Sequence, residues 1–278
     1  MTAASLKEVL MPAMEEHRAV AGLVVLGWED AWAYVEAAEE TGIPIILQAG
    51  PGCRAHTPVP ILGKMFRHLA DQSSVPIVCH IDHGYSVQDC LEGIDNGFTS
   101  VMFDGSKLTL SENIDITAQI VEKAHAAGVS VEGEVGFVGY AEGAPSANTL
   151  PEEAARFSNE SGVTALAISV GNVHLKTEKN SGINFGALKA IEEVTTLPLV
   201  LHGGSGIPVN VRKCLSQESR VSKFNIGTEL RMAFGNALRK SLTDNCDSFD
   251  RIRLLAPTVD AVKCVTIEVI SALNGKPK

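Results

Sequence analysis

The chain has 278 residues and a formal net charge of −10 at pH 7, with 23 lysines and arginines against 33 aspartates and glutamates. This acidic balance argues against a surface for nucleic acid or an anionic membrane, because both partners select clustered basic residues. No apolar stretch approaches the ~20 residues that span a bilayer, and the N-terminus lacks a secretory pattern, so we expect a cytoplasmic protein.

Short apolar runs alternate with longer stretches of helical period, a pattern that is typical of repeated βα units. The predicted strands are 21–26, 43–48, 75–81, 100–103, 130–135, 165–170, 197–201 and 222–226. The predicted helices are 30–41, 57–72, 86–96, 114–127, 151–161, 185–194, 209–217 and 228–244, followed by 257–273 outside the repeat. Because a (β/α)8 TIM barrel uses about 250 residues, we predict an α/β fold of this kind, one domain over residues 1–278, with an additional C-terminal helix.

The alternative architecture is an open, doubly wound sheet. Its dinucleotide-binding members carry a G-x-G-x-x-G loop after the first strand. No such loop follows the strand predicted at 21–26, and the glycine-rich segments instead follow the second, seventh and eighth strands. The barrel is therefore favoured.

Three histidines follow the third, sixth and seventh predicted strands: His83, His174 and His202. Strand C-termini in a barrel converge on one mouth, so these imidazoles can meet there, and three imidazoles with an open position are typical of catalytic zinc. Without a metal, a single His–Asp pair could be explained by helix capping and one buried imidazole. Histidines at three separate strand ends are not explained in that way. Asp82 and His83 would point to opposite sides of an extended strand, unless a turn at Gly84 re-aims one of them.

Two glycine-containing loops follow the seventh and eighth strands: His202-Gly-Gly-Ser-Gly206 and Asn225-Ile-Gly-Thr-Glu229. Barrel enzymes often hold phosphate in these two loops, with backbone N–H groups and a helix N-terminus as donors. The alternative is that the glycines only permit tight turns. The position beside His202 favours a phosphate site.

The fifth strand carries two carboxylates, Glu132 and Glu134, whose equal parity places them on one face. One of them could orient a zinc-bound histidine by accepting its second ring N–H, although pairing with a buried lysine or a backbone amide is equally consistent. The following segment, 137–149, has the composition of a mobile lid and contains Glu142.

Together these segments resemble the class II, zinc-dependent ketose-bisphosphate aldolases, the family of fructose-1,6-bisphosphate and tagatose-1,6-bisphosphate aldolases. The resemblance covers about residues 35–273 and rests on the motifs at 80–84, 102–106, 132–136, 202–206 and 225–229. It implies a carbon–carbon lyase that reversibly cleaves a ketose 1-phosphate or 1,6-bisphosphate to dihydroxyacetone phosphate and an aldehyde. It also implies a homodimer or homotetramer.

The resemblance further implies a role for each matching residue. One Zn2+ per chain would be bound by His83, His174 and His202, with Asp82 removing the C4 hydroxyl proton and Glu142 exchanging a proton at the enediolate. Asp104 and Glu134 match an alternative metal position or support for the ligands. The residues that match the phosphate-binding loops are Gly203, Ser205, Asn225, Gly227 and Thr228, with Gly204 between them.

The chain departs from the family pattern at three places. Leu175 stands where relatives have glycine, which removes a backbone arrangement used around a monovalent cation and makes K+ or Na+ dependence uncertain. Gly50 replaces serine or threonine, and the segment 22–28 lacks an asparagine-rich end. These changes leave open the aldehyde half, which could be glyceraldehyde 3-phosphate, a sulfonated analogue released from 6-deoxy-6-sulfofructose 1-phosphate, or another small aldehyde.

Two further alternatives keep the barrel but change the role of the protein. A metal-dependent sugar-phosphate epimerase could use the same enediolate without carbon–carbon cleavage. A non-catalytic partner subunit of a tagatose-bisphosphate aldolase would not need the metal ligands, so the presence of all three histidines and Asp82 argues against it.

Overall fold

The computed structural model of the chain describes residues 3–139, 146–175 and 182–275. Eight parallel strands pair in the order β2-β3-β4-β5-β6-β7-β8-β9, and β9 pairs with β2 to close a barrel. The strands are β1 (Ala3–Ala4), β2 (Val20–Val24), β3 (Ile45–Ala49), β4 (Ile77–Gly84), β5 (Ser100–Phe103), β6 (Ser130–Val135), β7 (Ala165–Ile168), β8 (Leu199–Leu201) and β9 (Val221–Ile226). The predicted TIM barrel is therefore confirmed.

Helices surround the barrel and connect its strands. They are α1 (Leu6–Glu15), α2 (Trp28–Thr41), α3 (Pro51–His56), α4 (Val59–Gln72), α5 (Val87–Asp95), α6 (Leu110–Ala126), α7 (Pro151–Glu160), α8 (Phe185–Glu192), α9 (Val209–Glu218), α10 (Thr228–Asp244) and α11 (Arg251–Leu273). Helix α5 packs closely on β4 at Gly93, where a Cβ atom would lie 2.4 Å from Ile81 Cγ1. None of the described helices is long and apolar enough to cross a membrane.

The N-terminal segment adds two elements that the sequence analysis did not predict. β1 pairs with the beginning of β4, and α1 follows it with a capping box in which Ser5 Oγ accepts from Glu8 N–H (3.3 Å) and Glu8 Oε2 accepts from Ser5 N–H (2.7 Å). Leu6 and Leu10 are fully buried among barrel side chains. Helix α1 therefore closes the end of the barrel opposite the strand C-termini. The Ser-x-x-Glu spacing was visible in the sequence.

Truncating Leu10 to alanine is expected to destabilise the protein by about 2–5 kcal/mol, because it leaves a cavity under the barrel. Any activity carried by the strand C-termini should persist at 25 °C, since the change lies at the opposite end of the barrel. Urea unfolding measures the effect, with the exposed Glu15→Ala on the same helix as control. Equal midpoints for the two variants would contradict a packing role for α1.

The C-terminal helix is longer than the sequence analysis predicted. It begins at Arg251 instead of residue 257 because Asp250 Oδ1 caps its first turn, accepting from the N–H groups of Ile252 (2.8 Å) and Arg253 (3.2 Å). Pro257 suggested a helix start, since proline is favoured in the first turn, but it lies inside the helix. Helix α11 packs against α2 and α10.

Candidate active site

The end of β4 places two adjacent side chains, Asp82 and His83, in the same cavity. His83 has a φ of 50°, and the pairing with β5 shifts register between Ile81 and Gly84. This bulge re-aims one side chain, as the sequence analysis required, but the turn residue is His83 itself and not Gly84. Such a backbone costs of order 1–3 kcal/mol in a residue other than glycine, so its surroundings must hold it.

Arg54 of α3 contacts the backbone at this bulge. Its Nη1 donates to the carbonyl oxygens of Ala49 and Asp82, both at 2.6 Å, and its Nη2 donates to the carbonyl oxygen of His83 at 2.9 Å. The guanidinium group therefore ties the ends of β3 and β4 together. The sequence analysis missed Arg54, because a side chain that binds backbone carbonyls imposes no residue pattern on its partners.

The three strand-end histidines come together as predicted. One ring nitrogen from each of His83, His174 and His202 lies within 4.8 Å of the others. His83 Nδ1 is 2.7 Å from Asp104 Oδ2, and His202 Nε2 is 3.1 Å from Glu132 Oε1. A carboxylate only accepts, so both nitrogens carry the proton. The opposite atoms, His83 Nε2 and His202 Nδ1, are buried without a hydrogen-bond partner, and a zinc ion would bind there in place of any proton.

The charged groups around these histidines shift one another's pKa values. Burial lowers the pKa of His83, but the carboxylates of Asp82 and Asp104 outweigh burial and raise that pKa to about 9. Burial and the neighbouring His83 lower the pKa of His174 to about 4. Burial raises the pKa of Asp82, but His83 and His202 outweigh it and hold the pKa below its usual value. Asp82 is therefore ionised at neutral pH and can accept a proton.

Two further carboxylates lie beside the imidazoles. Asp104 accepts hydrogen bonds from Ser106 as well as facing His83, while Glu134 Oε2 is 3.8 Å from Nδ1 of both His83 and His202. Burial and Asp104 raise the pKa of Glu134 to about 8. Ligand atoms of His83, Asp104 and Glu134 lie within 4.8 Å of one another, so this group could also hold a metal ion.

A cavity of about 300 Å³ opens at this mouth of the barrel. The predicted site residues that line it are Asp82, His83, His174, Gly203, Ser205, Asn225, Gly227 and Thr228. Gly204 does not line the cavity, because it packs against Ile226 and the backbone of Asn225, whereas Gly206, which was not predicted, does line it. Glu142 lies outside the described residues.

The two glycine loops touch each other at the rim of this cavity. Ser205 Oγ accepts from the N–H groups of Gly227 (3.2 Å) and Glu229 (3.4 Å) at the beginning of α10. Gly203 has a φ of 66°, and a Cβ atom there would lie 2.2 Å from the carbonyl oxygen of Val173. Only glycine fits that position. The rim thus lies at the positive end of a helix dipole, with Ser205 Oγ held against the first N–H groups of α10.

Leu175 keeps the backbone conformation that glycine favours. Its φ is 55°, a left-handed conformation that costs roughly 1–2 kcal/mol for a residue with a Cβ atom. Leu175 thus adopts a left-handed conformation in spite of its Cβ atom, and the effect of the leucine on monovalent-cation dependence stays a prediction. The difference from glycine is the side chain itself, which is half exposed and lines the cavity.

A buried polar network lies beneath the histidines inside the barrel. Lys223 Nζ is 2.6 Å from Glu132 Oε2 and 3.4 Å from His80 Nε2, and His80 Nδ1 is 2.8 Å from Ser100 Oγ. All four side chains are fully buried. The sequence analysis assigned no role to His80. It allowed for a buried lysine as the partner of a strand carboxylate, which Lys223 is for Glu132, but did not identify the lysine. Strand parity with Asn225 would have placed the lysine inside the barrel.

Known proteins are similar to this chain over nearly its whole length. The family model for class II fructose-bisphosphate aldolase matches residues 4–278. A fructose-bisphosphate aldolase of Geobacillus stearothermophilus is 35% identical over 275 residues, which is 96% of this chain and 95% of that protein. A 6-phospho-5-dehydro-2-deoxy-D-gluconate aldolase of Bacillus licheniformis is 36% identical over 273 residues, covering 95% and 92%. The crystal structure of the YdjI aldolase from Escherichia coli K12 matches with a TM-score of 0.85 and 30% identity, covering 98% and 97%.

Proposed function

Because this chain belongs to the class II fructose-bisphosphate aldolase family, whose members are metal-dependent carbon–carbon lyases acting on sugar phosphates, we propose a specific reaction for it. It cleaves a ketose 1-phosphate or 1,6-bisphosphate reversibly to dihydroxyacetone phosphate and an aldehyde, with zinc as the metal. The observation that carries this proposal is the meeting of three imidazoles at a cavity that the Asp82 carboxyl group also lines.

One Zn2+ per chain would be held by His83, His174 and His202. The buried and unpartnered nitrogens of His83 and His202 support this set, since a buried polar atom without a partner costs free energy unless a ligand satisfies it. When bound, zinc supplies a Lewis acid that stabilises negative charge on the substrate carbonyl oxygen. Asp104 and Glu132 would orient two of the ligands through their second ring nitrogens.

Asp82 is the proposed general base. Asn225 Nδ2 donates to Asp82 Oδ1 (3.1 Å), while Oδ2 faces Gly50, whose missing side chain leaves room for substrate. Asp82 would take the C4 hydroxyl proton as the C3–C4 bond breaks, so that the C4 half leaves as an aldehyde. The bonding electrons remain on the C3 half as an enediolate of dihydroxyacetone phosphate. Its protonation completes the reaction, and we assign that step to Glu142.

The substrate C1 phosphate would bind at the two glycine loops. Gly203, Ser205, Asn225, Gly227 and Thr228 form this site, with Gly204 packed beneath them. Support comes from Ser205 Oγ, which accepts from the N–H groups of Gly227 and Glu229 at the N-terminus of α10, where the helix dipole favours an anion.

The aldehyde half of the substrate is the part that differs among the sugars to be tested. Gly50 and Leu175 line the described part of the cavity where a distal group of the sugar would lie. One relative named above is an aldolase for a deoxygluconate phosphate and another for fructose bisphosphate, so similar chains act on different sugars. A modified substrate such as 6-deoxy-6-sulfofructose 1-phosphate therefore belongs in the test.

The test is release of dihydroxyacetone phosphate from fructose 1,6-bisphosphate, tagatose 1,6-bisphosphate and 6-deoxy-6-sulfofructose 1-phosphate. We expect release from at least one of them, abolished by EDTA and restored by zinc. Repeating the assay with added K+ or Na+ decides monovalent-cation dependence. Conversion to a new hexose phosphate without trioses would replace the aldolase by an epimerase. Absence of any release by zinc-loaded protein would contradict the proposed substrates.

We also propose that the chain acts as one domain and forms a homodimer or homotetramer. Phe249 and Ile252 are 98% and 81% exposed. Phe249 itself lines a groove of about 570 Å³, together with Phe234, Leu238 and Leu242 among others. A projecting ring and an apolar groove on one face suit a self-complementary contact between two copies. A cytoplasmic location is proposed on the six free cysteines, which suit a reducing compartment.

A further inference from the structure

Lys223 is the least expected side chain in the barrel interior. It is fully buried, although lysine is almost never found so unless it is paired. It lies on β9 two residues before Asn225, below the cavity and outside its lining, so it does not contact a substrate held there. Its ammonium group therefore acts through the groups that it contacts.

The contacts of Lys223 lead to a metal-site histidine in two steps. Lys223 Nζ donates to Glu132 Oε2 at 2.6 Å, and the other carboxylate oxygen, Oε1, accepts from His202 Nε2 at 3.1 Å. Each oxygen of Glu132 thus has one donor, one from each side. With Nε2 carrying the proton, the lone pair of His202 is on Nδ1, the buried atom without a protein partner.

We propose that Lys223 is a positioning residue for the metal site. By holding Glu132 in one orientation, it keeps His202 in the tautomer and ring orientation that present Nδ1 to the metal. The inference rests on the proposed role of His202 as a ligand. His80 completes the arrangement from the far side, because its Nε2 faces the same ammonium group at 3.4 Å while Ser100 Oγ faces its Nδ1 at 2.8 Å.

The substitution Glu132→Gln tests this arrangement without a change of shape. The glutamine carbonyl can accept from either Lys223 or His202 but not from both, and its NH2 group then meets the remaining donor. If the carbonyl turns to the ammonium group, the NH2 group faces His202 Nε2, which must become an acceptor. The ring proton then moves to Nδ1, where it blocks the metal.

Removing the lysine as well relieves that conflict. In the double variant Lys223→Met/Glu132→Gln, the glutamine carbonyl is free to accept from His202 Nε2, and Nδ1 regains its lone pair. We therefore expect Glu132→Gln to weaken zinc affinity by about 10–100-fold, the usual loss when the partner of a ligating histidine is changed. The double variant should bind zinc more tightly than Glu132→Gln alone, which independent structural damage at two sites would not produce.

The experiment measures zinc dissociation constants by chelator competition for the wild type, the two single variants and the double variant. Nitrogen-15 NMR of the histidine rings in metal-free protein reports the His202 tautomer directly. We expect the proton on Nε2 in the wild type and the double variant, and on Nδ1 in Glu132→Gln. Arg212→Met is the matched control, since Arg212 is another buried cation, paired with Glu229 at 2.7 Å away from the histidines.

Wild-type zinc affinity in Glu132→Gln would overturn the proposal, and so would a double variant that binds zinc no better than Glu132→Gln. An equal loss of affinity in Arg212→Met and Lys223→Met would also overturn it, because it would show a general effect of removing a buried cation. Failure of the proposed function can be distinguished from failure of this inference by the variant His202→Ala. In that case His202→Ala itself would retain zinc, whereas failure of this inference alone leaves His202→Ala without zinc.

Discussion

Replacing any one of His83, His174 or His202 by alanine is expected to weaken zinc binding by more than about 100-fold, because changing only an outer partner of a ligand already costs ~10–100-fold. Each histidine supplies one nitrogen to a cluster whose ligand atoms lie within 4.8 Å of one another. Within the described part of the chain, the fourth histidine of this region is His80, and it is not free to replace a lost ligand because Ser100 and Lys223 engage its two ring nitrogens. Cleavage should fall with zinc content.

Zinc per chain is measured by atomic emission after dialysis, and cleavage by release of dihydroxyacetone phosphate at fixed free zinc. His125→Ala provides the control, because this histidine is exposed on α6 and belongs to no cluster of the candidate site. The control variant should keep both zinc and activity. Stoichiometric zinc in all three site variants would remove the metal assignment.

The substitution Asp82→Asn is expected to lower kcat by about 10²–10⁴-fold, the usual contribution of a general base. Asparagine has the same shape and can still accept the hydrogen bond that Asn225 donates to Oδ1. It cannot take the C4 hydroxyl proton. Zinc content should change little, so that this variant separates loss of proton transfer from loss of metal.

The measurement is kcat and KM for the best substrate of the panel, with zinc determined on the same samples. Asp95→Asn is the matched control, because Asp95 is exposed at the end of α5, the helix that follows β4. A wild-type kcat in zinc-loaded Asp82→Asn would show that another group removes the proton.

Local pattern predicted the barrel well, because each strand and helix is a short apolar or periodic run that can be recognised without its neighbours. The N-terminal helix shows the limit of prediction from local pattern. Its capping box was visible at Ser5 and Glu8, but its burial depends on barrel side chains such as Val78 and Val200, which are remote in sequence. Similarly, Asp250 rather than Pro257 marks the beginning of α11, because a side chain that caps the first turn satisfies its N–H groups.

The same distinction between local pattern and tertiary contact applies to the candidate site. His83, His174 and His202 could be found because parallel strands of a barrel deliver their C-terminal side chains to one mouth, whatever their separation in sequence. Which ring nitrogen faces the metal position could not be found, since it depends on Asp104 and Glu132 meeting the opposite nitrogens.

The sequence by itself determined the barrel, the mouth that holds the candidate site and the residue types that converge there, because strand order and side-chain parity are local properties. Only the tertiary structure decided the left-handed turn at His83, its anchoring by Arg54 and the buried pair of Lys223 and Glu132. These features join side chains to partners on other strands or helices. No periodicity records such contacts, because they are set by the packing of the closed barrel.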